Sequence, residues 1–156
     1  MTVIEAFLAT LGVCLLSAVV PFVNAELYLL AAASVASSRL APALVVAAAL
    51  GQMLGKSLMY YAGRGALRLP SERLRRMVAT VERRYREEGA AGAAVGSTVI
   101  LASAGLGLPP FYVVSIACGI LRIPFAQFFV LGLLGRLARF GVIVLGPQLA
   151  RAWGQS

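Results

Sequence analysis

The chain has no histidine and no aspartate, and its six acidic residues are all glutamates. It therefore offers neither the usual ligands of a catalytic metal nor a base that could activate one of its serines. A phosphate loop is excluded as well, because the segment from Gly51 to Ser57 has three residues between its glycines where that motif has four. We expect no enzyme chemistry and no cofactor.

The chain has few charged residues and several long apolar segments. Hydrophobic residues make up 60% of the chain and charged residues 13%, with a mean hydropathy of +0.88. Soluble domains average about 45–50% apolar and about 25% charged residues. A soluble domain of this size could not bury so much apolar surface. The composition predicts an all-α integral membrane protein, with one membrane domain over residues 1–156.

Most of the positive charge lies in one segment. The net charge is +8, and eight of the fourteen Lys and Arg residues lie between Arg64 and Arg86. The segment lacks repeated basic and aromatic residues, so we expect no nucleic-acid partner. Ser71 and Gly89 are good helix start and stop signals, and apolar residues recur between them at helical spacing. This predicts a basic amphipathic linker helix at a membrane surface.

The linker at 64–89 is predicted to lie on the cytoplasmic side of a plasma (inner) membrane, because Arg-rich loops resist translocation. In a background without Cys14 and Cys118, an Arg75→Cys variant should react with a membrane-impermeant maleimide only after permeabilisation. Labelling from outside intact cells would contradict this orientation.

The apolar segments alternate between short and long. Helices are predicted at 3–20, 26–38, 42–63, 90–104, 110–121 and 124–149. A helix of about 12–15 residues covers about 18–22 Å, which is less than the ~30 Å hydrocarbon core. We therefore predict two re-entrant hairpins. Irregular backbone at membrane depth must be buried or line a cavity, which makes the hairpin tips functional candidates: Pro21, Asn24, Gly105, Gly107, Pro109 and Pro110.

Two other interpretations of the N-terminal segment stay open. Residues 3–20 could be a plain span that is only kinked by the prolines. The segment could also be a signal peptide cleaved near Val23-Asn24-Ala25, although its first residues contain Glu5 and no Lys or Arg. The two cysteines lie in apolar runs and are predicted to be small buried side chains without a disulfide.

A weak internal sequence repeat divides the chain into two halves. Pro21-Phe22, Arg39-Leu40-Ala41-Pro42 and Gly55-Lys56 are followed by Pro110-Phe111, Arg122-Ile123-Pro124 and Gly135-Arg136. We predict repeat one at 1–64, the linker at 65–89 and repeat two at 90–150. If each half is a re-entrant hairpin followed by a transmembrane helix, the copies form an inverted repeat. In transporters of that design, the substrate binds at the repeat interface.

Charged residues within the apolar segments are few and costly. Glu26 is the only acidic residue between Glu5 and Glu72, and such a group costs roughly 2.5–3.5 kcal/mol within a membrane. Lys56 lies in mid-span, and Arg136 and Arg139 share a helix face. Small residues beside these cations would let helices approach closely: Gly51, Gly55, Gly132 and Gly135.

These charged residues predict an anion-binding cavity in which Arg grips a phosphate or a carboxylate. The candidate substrate-binding residues are Glu26, Lys56, Arg122, Arg136 and Arg139. The alternative is that Glu26 only neutralises Lys56 or an Arg in a structural pair.

Three motifs resemble the DedA superfamily, also called the VTT or SNARE-associated Golgi domain, in its short bacterial form. They are Pro21-Phe22-x3-Glu26, then Gly51-x3-Gly55-x4-Tyr60-Tyr61-x-Gly63-Arg64, and then Ala117-Cys118-Gly119-Ile120-Leu121-Arg122-Ile123-Pro124-Phe125. The ending Leu131-Gly132-x2-Gly135-Arg136-x2-Arg139-Phe140 is similar to the short subfamily in particular. The likeness covers nearly the whole chain.

The resemblance implies two opposed re-entrant hairpins and movement of lipids between leaflets. Bacterial members are associated with recycling of polyprenyl phosphate or phosphatidylethanolamine, and the family's acidic residue corresponds to Glu26. Larger members carry a further acidic residue after it and arginines at the second hairpin tip, which this chain lacks. We expect membrane lipids as partners, and a homo-oligomer remains possible. Two alternatives stay open: a small proton-coupled solute or multidrug antiporter, and a non-transporting membrane-assembly protein.

Overall fold

The computed structural model describes residues 2–20, 24–35, 38–65, 83, 87, 89–108 and 110–153. Most of the predicted linker helix lies outside these residues, as do the predicted tip residues Pro21 and Pro109. Within the linker, Arg83 and Glu87 are described. Their exposed side chains form an ion pair at 3.6 Å.

Every regular element in the described residues is helical, which confirms the all-α prediction. The helices are α1 (Val3–Val19), α2 (Ala25–Val35), α3 (Ala41–Gly65), α4 (Gly89–Leu106), α5 (Phe111–Ile120) and α6 (Phe125–Trp153), with a 3₁₀ turn at Ser38–Leu40. The second predicted helix, 26–38, is described as far as Val35; residues 36–37 lie outside the described residues, and Ser38 belongs to the 3₁₀ turn. The fourth predicted helix, 90–104, is longer in the structure by two residues at its C-terminal end and by one at its N-terminal end.

Gly105 is not a hairpin tip, and this prediction is wrong. It lies inside α4, which continues to Leu106. The helix ends one residue later, where Gly107 adopts a left-handed φ of 83° and its N–H donates to the carbonyl of Ser103 at 3.0 Å. A φ of that sign suits glycine because it has no Cβ. The turn after α4 begins at Gly107, so Gly105 remains within the helix.

Three of the described helices are long and apolar enough to cross a membrane: Ala41–Gly65, Gly89–Leu106 and Phe125–Gly146 within α6. The second of them adds a candidate span to the two long spans predicted from the sequence. The shortest helices, α2 and α5, reach only about 15–17 Å and are too short to span. Large apolar side chains on the outer faces are exposed, including Ile4, Leu58 and Val142. The protein is a helical membrane protein.

Local sequence explains where the first two helices begin. Thr2 and Glu5 form a capping box at α1, in which each side chain accepts a bond from the other's backbone N–H. Asn24 begins α2, and its Oδ1 accepts bonds from the N–H groups of Glu26 at 2.9 Å and Leu27 at 3.3 Å. The predicted tip residue Asn24 is therefore a helix cap.

The chain forms two compact units, and α3 and α6 each contribute to both. The first unit contains residues 1–55 and 136–156, and the second unit contains residues 56–135. Each unit has its own helical hairpin: α1 packs on α2 in the first, and α4 packs on α5 in the second.

Close helix contact and buried polar bonds hold the first unit together. A Cβ at Gly51 would meet the backbone of Leu11 and Leu15, so only glycine lets α3 approach α1 this closely. Two hydrogen bonds then link α1 to its neighbours: Thr10 with Tyr28 at 3.1 Å and Gln52 with Ser17 at 2.7 Å. The core also buries Cys14, which is free.

An aromatic cluster fills the second unit. The ring of Tyr60 lies 5.1 Å from that of Phe128 and 5.3 Å from that of Phe125. Its hydroxyl donates to the carbonyl of Ile123 at 2.6 Å. Gly119 packs against the carbonyl oxygen of Tyr60, where a Cβ would have no room. Tyr60 therefore fixes the second half of α3 against both ends of the α5–α6 turn.

A Gly119→Ala variant should lower the thermal stability of the purified protein in detergent. Its Cβ would collide with the backbone of Tyr60 and would lie 2.9 Å from the Arg64 nitrogen, and overpacking of this kind costs roughly 1–3 kcal/mol. Gly12→Ala is the matched control, because nothing lies within 4 Å of a Cβ there. If Gly12→Ala lowered the melting temperature as much as Gly119→Ala does, the close contact would not explain the loss.

Candidate functional site

Glu26 is positioned by the start of α2. Asn24 caps the helix, and Glu26 follows two residues later in the first turn. A carboxylate is favoured at a helix N-terminus because the unpaired N–H groups there carry partial positive charge. The side chain is 38% exposed. Glu26 is therefore held at the edge of the first unit and is accessible from outside the core.

Glu26 forms an ion pair with Arg139 of α6. Arg139 Nε donates to Glu26 Oε1 at 2.7 Å, and Nη2 of the same guanidinium lies 2.5 Å from the same oxygen. The Arg139 side chain is 23% exposed. Both contacts use one carboxylate oxygen, so the pair lacks the two-oxygen geometry that gives Arg–carboxylate pairs their greatest strength.

Arg136 adds a second guanidinium to the same place. It lies one turn before Arg139 on α6 and is only 8% exposed. Its charge interacts with those of Arg139 and Glu26, and its Cζ lies 5.8 Å from the ring centroid of Phe140. Glu26, Arg136 and Arg139 together carry one excess positive charge. The first unit thus brings together three of the five predicted substrate-binding residues.

Lys56 lies in the second unit, on α3. It is 7% exposed, its Nζ lies 3.9 Å from the sulfur of Met59, and it lies 6.0 Å from the ring centroid of Tyr112. A cation at that distance from a ring is attracted by the ring's negative face.

Arg122 has a structural role that the sequence analysis missed. Its φ of 54° is left-handed, and its N–H donates to the carbonyl of Gly119 at 3.2 Å. The N–H of Ile123 donates to the carbonyl of Cys118 at 3.0 Å, which completes a Schellman motif at the end of α5. Glycine usually occupies this position, since the left-handed conformation costs other residues roughly 1–2 kcal/mol. Arg122 lies just after the end of α5, and Tyr112, the ring beside Lys56, is the second residue of that helix. The two residues are therefore about 15 Å apart along the helix axis.

The remaining tip residues mark helix ends. Gly107 provides the left-handed turn after α4, and Pro110 is the residue before the first turn of α5. Proline suits this place because its missing N–H would have no partner within the helix. No ligand chemistry follows from their backbone positions alone.

Sequence reasoning missed several polar contacts near the site. Thr10, Cys14 and Ser17 recur at helical spacing on α1, and two of them bond to Tyr28 and Gln52. That spacing was a usable signal in an otherwise apolar helix. The approach of Tyr112 to Lys56 had no signal, because it depends on how α5 packs on α3. Among the described residues, no three His, Cys, Asp or Glu side chains could together hold a metal ion.

Comparison with known proteins gives one match. The VTT domain family model matches residues 20–147, which include the short helices α2 and α5, all of α3, most of α6 and the Glu26–Arg139 pair. No curated protein and no solved structure matches the chain. Since the matched region covers most of the chain, the protein belongs to the VTT domain family, which is the DedA family.

Proposed function

We propose that the protein is a lipid translocase that moves an anionic lipid headgroup, a polyprenyl phosphate or a phospholipid, between the leaflets of the plasma membrane. The observation that carries this proposal is the surplus of positive charge in the first unit, where Arg139 pairs with the Glu26 carboxylate and the charge of Arg136 interacts with both. Arg binds phosphate through several fixed N–H donors. A cluster with one excess positive charge attracts an anion and repels a cation.

Glu26 would act as a competitor for Arg139. While the carboxylate is charged, it occupies two donors of the Arg139 guanidinium. An arriving phosphate would take the place of the carboxylate at those donors. The buried Arg136 would provide a charge that remains throughout. The pair thus gives the site a closed state and an open state with the same residues.

The order and lengths of the helices in the two halves of the chain support the proposed inverted repeat. Each half has a helix of 17 or 18 residues, a short helix of 11 or 10 and a long helix of 25 or 29. Their glycine contacts also correspond. A Cβ at Gly55 would meet Ala18 and the Leu15 carbonyl, and a Cβ at Gly135 would meet Ala104 and the Leu101 carbonyl. We propose two re-entrant hairpins related in this way, with the linker on the cytoplasmic side.

Purified protein in liposomes tests the proposal. Tail-labelled phosphatidylglycerol in the inner leaflet should become accessible to dithionite in proteoliposomes within the assay time, while protein-free vesicles should protect about half of the label. Protection equal to that of protein-free vesicles, for phosphatidylglycerol and for a polyprenyl phosphate, would refute the translocase function.

The formed Glu26–Arg139 pair also favours a second candidate, a membrane-assembly protein in which the pair is only structural. Removing one partner of a buried ion pair is destabilising, because the other charge is left uncompensated. In that case Glu26 substitutions should lower the melting temperature. Lipid transport should be undetectable both in the unmodified protein and in the variants. A proton-coupled antiporter for cationic solutes finds less support, since the site has more positive than negative charge.

A further inference from the structure

The turn between α5 and α6 contains an arginine at a position where the backbone favours glycine. Arg122 has a left-handed φ of 54°, which is unfavourable for a residue that has a Cβ. Arg122 is also exposed, so burial in the core does not offset that cost. Strained positions of this kind are concentrated at functional sites, including ligand contacts. Since the fold alone would favour glycine here, the basic side chain indicates a role outside folding.

The end of α3 brings a second arginine to this turn. A Cβ at Gly119 would lie 2.9 Å from the backbone nitrogen of Arg64, and the N–H of Arg122 donates to the Gly119 carbonyl at 3.2 Å. The backbones of both arginines therefore meet at Gly119. Arg64 is exposed as well, and its Nη1 donates to the Tyr60 hydroxyl at 3.1 Å. That bond uses one of the five N–H groups of the guanidinium.

An aromatic stack joins the same two parts of the chain. The Tyr61 ring of α3 lies 5.2 Å from the Phe125 ring of α6, which lies 5.6 Å from the ring of Phe129. Tyr61 is 53% exposed, and it neighbours Arg64, three residues later, on the surface of α3. Exposed tyrosine beside basic residues is typical of the headgroup level of a bilayer.

We call this region of the second unit the turn surface, and its residues are Tyr61, Arg64, Arg122 and Phe125. Of the acidic residues that the structure describes, Glu87 pairs with Arg83, and Glu5 and Glu26 lie in the first unit. None of these three pairs with an arginine of the turn surface. Arg64 also lies at the start of the linker, which we propose to be cytoplasmic, and the cytoplasmic leaflet has a negative surface. The turn surface and that leaflet are therefore complementary in charge.

We propose that the turn surface binds the phosphate of an anionic phospholipid at the membrane surface. Guanidinium groups bind phosphate through several N–H donors in a fixed geometry. On α3, Leu58 lies three residues before Tyr61 and is 62% exposed, and the two side chains are neighbours on the helix surface. A lipid bound at Arg64 would thus meet first an aromatic and then an aliphatic side chain, which suit its glycerol and acyl chains. The site goes beyond the proposed transport function and does not require that transport occurs.

Fluorescence quenching beside the turn surface tests the proposal. The background is the full chain with its one tryptophan removed by Trp153→Phe and a reporter introduced next to Phe125 by Ala126→Trp, at an exposed position of α6. Purified protein in neutral micelles is titrated with brominated phosphatidylglycerol or brominated phosphatidylcholine. We expect the anionic lipid to quench at about tenfold lower mole fraction, a difference typical of charged hydrogen bonds.

Arg122→Gly in that background separates binding from folding. Glycine suits the left-handed φ, so we expect a melting temperature in lipid-free micelles at or above that of the background. The preference for phosphatidylglycerol should nevertheless fall by about threefold, because one of two charged contacts is lost. A packing role for the Arg122 side chain predicts the reverse, which is a lower melting temperature with an unchanged preference.

Three further variants identify the charges responsible. Arg64→Gln should also lower the preference, and Arg64→Gln combined with Arg122→Gly should remove it. Arg122→Lys should keep most of the preference, since the positive charge remains. Arg39→Gln is the matched control, because it removes one exposed positive charge from the first unit, and the preference should persist.

Equal quenching by the two lipids in the background protein would overturn the proposal, as would a preference that survives the loss of both arginines. A loss in Arg39→Gln as large as that in Arg64→Gln would assign the preference to overall charge and would overturn it too. Relief of quenching by inorganic phosphate, with no difference between the lipids, would replace the lipid by a free anion. Since the readout is binding away from Glu26, its failure leaves the transport proposal standing, and a failed transport assay leaves this one standing.

Discussion

A Glu26→Gln variant should insert and fold but should move anionic lipid at less than about a tenth of the normal rate, a change of at least ~1.4 kcal/mol in the barrier. Glutamine keeps the size and can still accept a hydrogen bond from Arg139. It cannot carry the negative charge that holds Arg139 at 2.5–2.7 Å. The pair would lose its charged state, and with it the competition that we propose between Glu26 and phosphate.

The measurement is the rate of phosphatidylglycerol translocation in proteoliposomes, together with the melting temperature in detergent. Glu5→Gln is the matched control, because Glu5 is exposed and a glutamine can still complete the capping box with Thr2. Undiminished transport in Glu26→Gln would return Glu26 to a structural role. Loss of transport in Glu5→Gln to the same extent would show that the assay responds to any charge change.

Replacing Arg136 and Arg139 together should have a still larger effect. With both changed to Gln, we expect transport of anionic lipid to fall to the protein-free level, because both of the guanidinium groups that interact with Glu26 in the described residues are lost. With both changed to Lys, the charge is kept but the planar donor geometry is lost. We expect an intermediate rate, between about a tenth and a half of normal. Melting temperatures of the two double variants show whether assembly is affected.

The same variants separate the translocase from the antiporter. Removing two positive charges should help a cation to enter, so an antiporter for cationic compounds predicts higher resistance in cells with the Gln double variant. The translocase predicts no such gain. If resistance rises while lipid movement is never detected with the unmodified protein, the antiporter takes the place of our proposal.

The sequence predicted the fold class and most helix boundaries because a membrane imposes strong rules on apolar runs. Helices α1, α3 and α6 begin and end within a few residues of prediction. The boundary of α4 was missed because Gly105 looks like a breaker in sequence. In the structure it remains helical, and a Cβ there would meet only the facing Gly135, at 3.7 Å and beyond. A glycine can mark a turn or a close helix contact, and the pattern alone does not distinguish them.

For the candidate site, the sequence predicted which charged residues would be costly within a membrane. It did not predict which of those residues contact one another. Glu26 stood out because a lone acid among apolar residues needs a reason. Arg136 and Arg139 stood out by their spacing on one face. That Glu26 pairs with Arg139 while Arg136 is the more buried depends on how α2 meets α6, which no local pattern encodes. Arg122 was predicted to bind substrate because of its charge. In the structure, its backbone forms the C-terminal cap of α5.

The central claim is that this protein carries anionic headgroups across the bilayer, and headgroup-resolved translocation tests it most directly. Purified protein would be reconstituted into vesicles that each contain one tail-labelled lipid: a polyprenyl phosphate, phosphatidylglycerol or phosphatidylcholine. The account predicts that the two anionic lipids move faster than phosphatidylcholine, by about tenfold or more, and that this difference disappears in the Arg136→Gln, Arg139→Gln double variant. Equal rates for all three lipids, or no rate above protein-free vesicles, would contradict it.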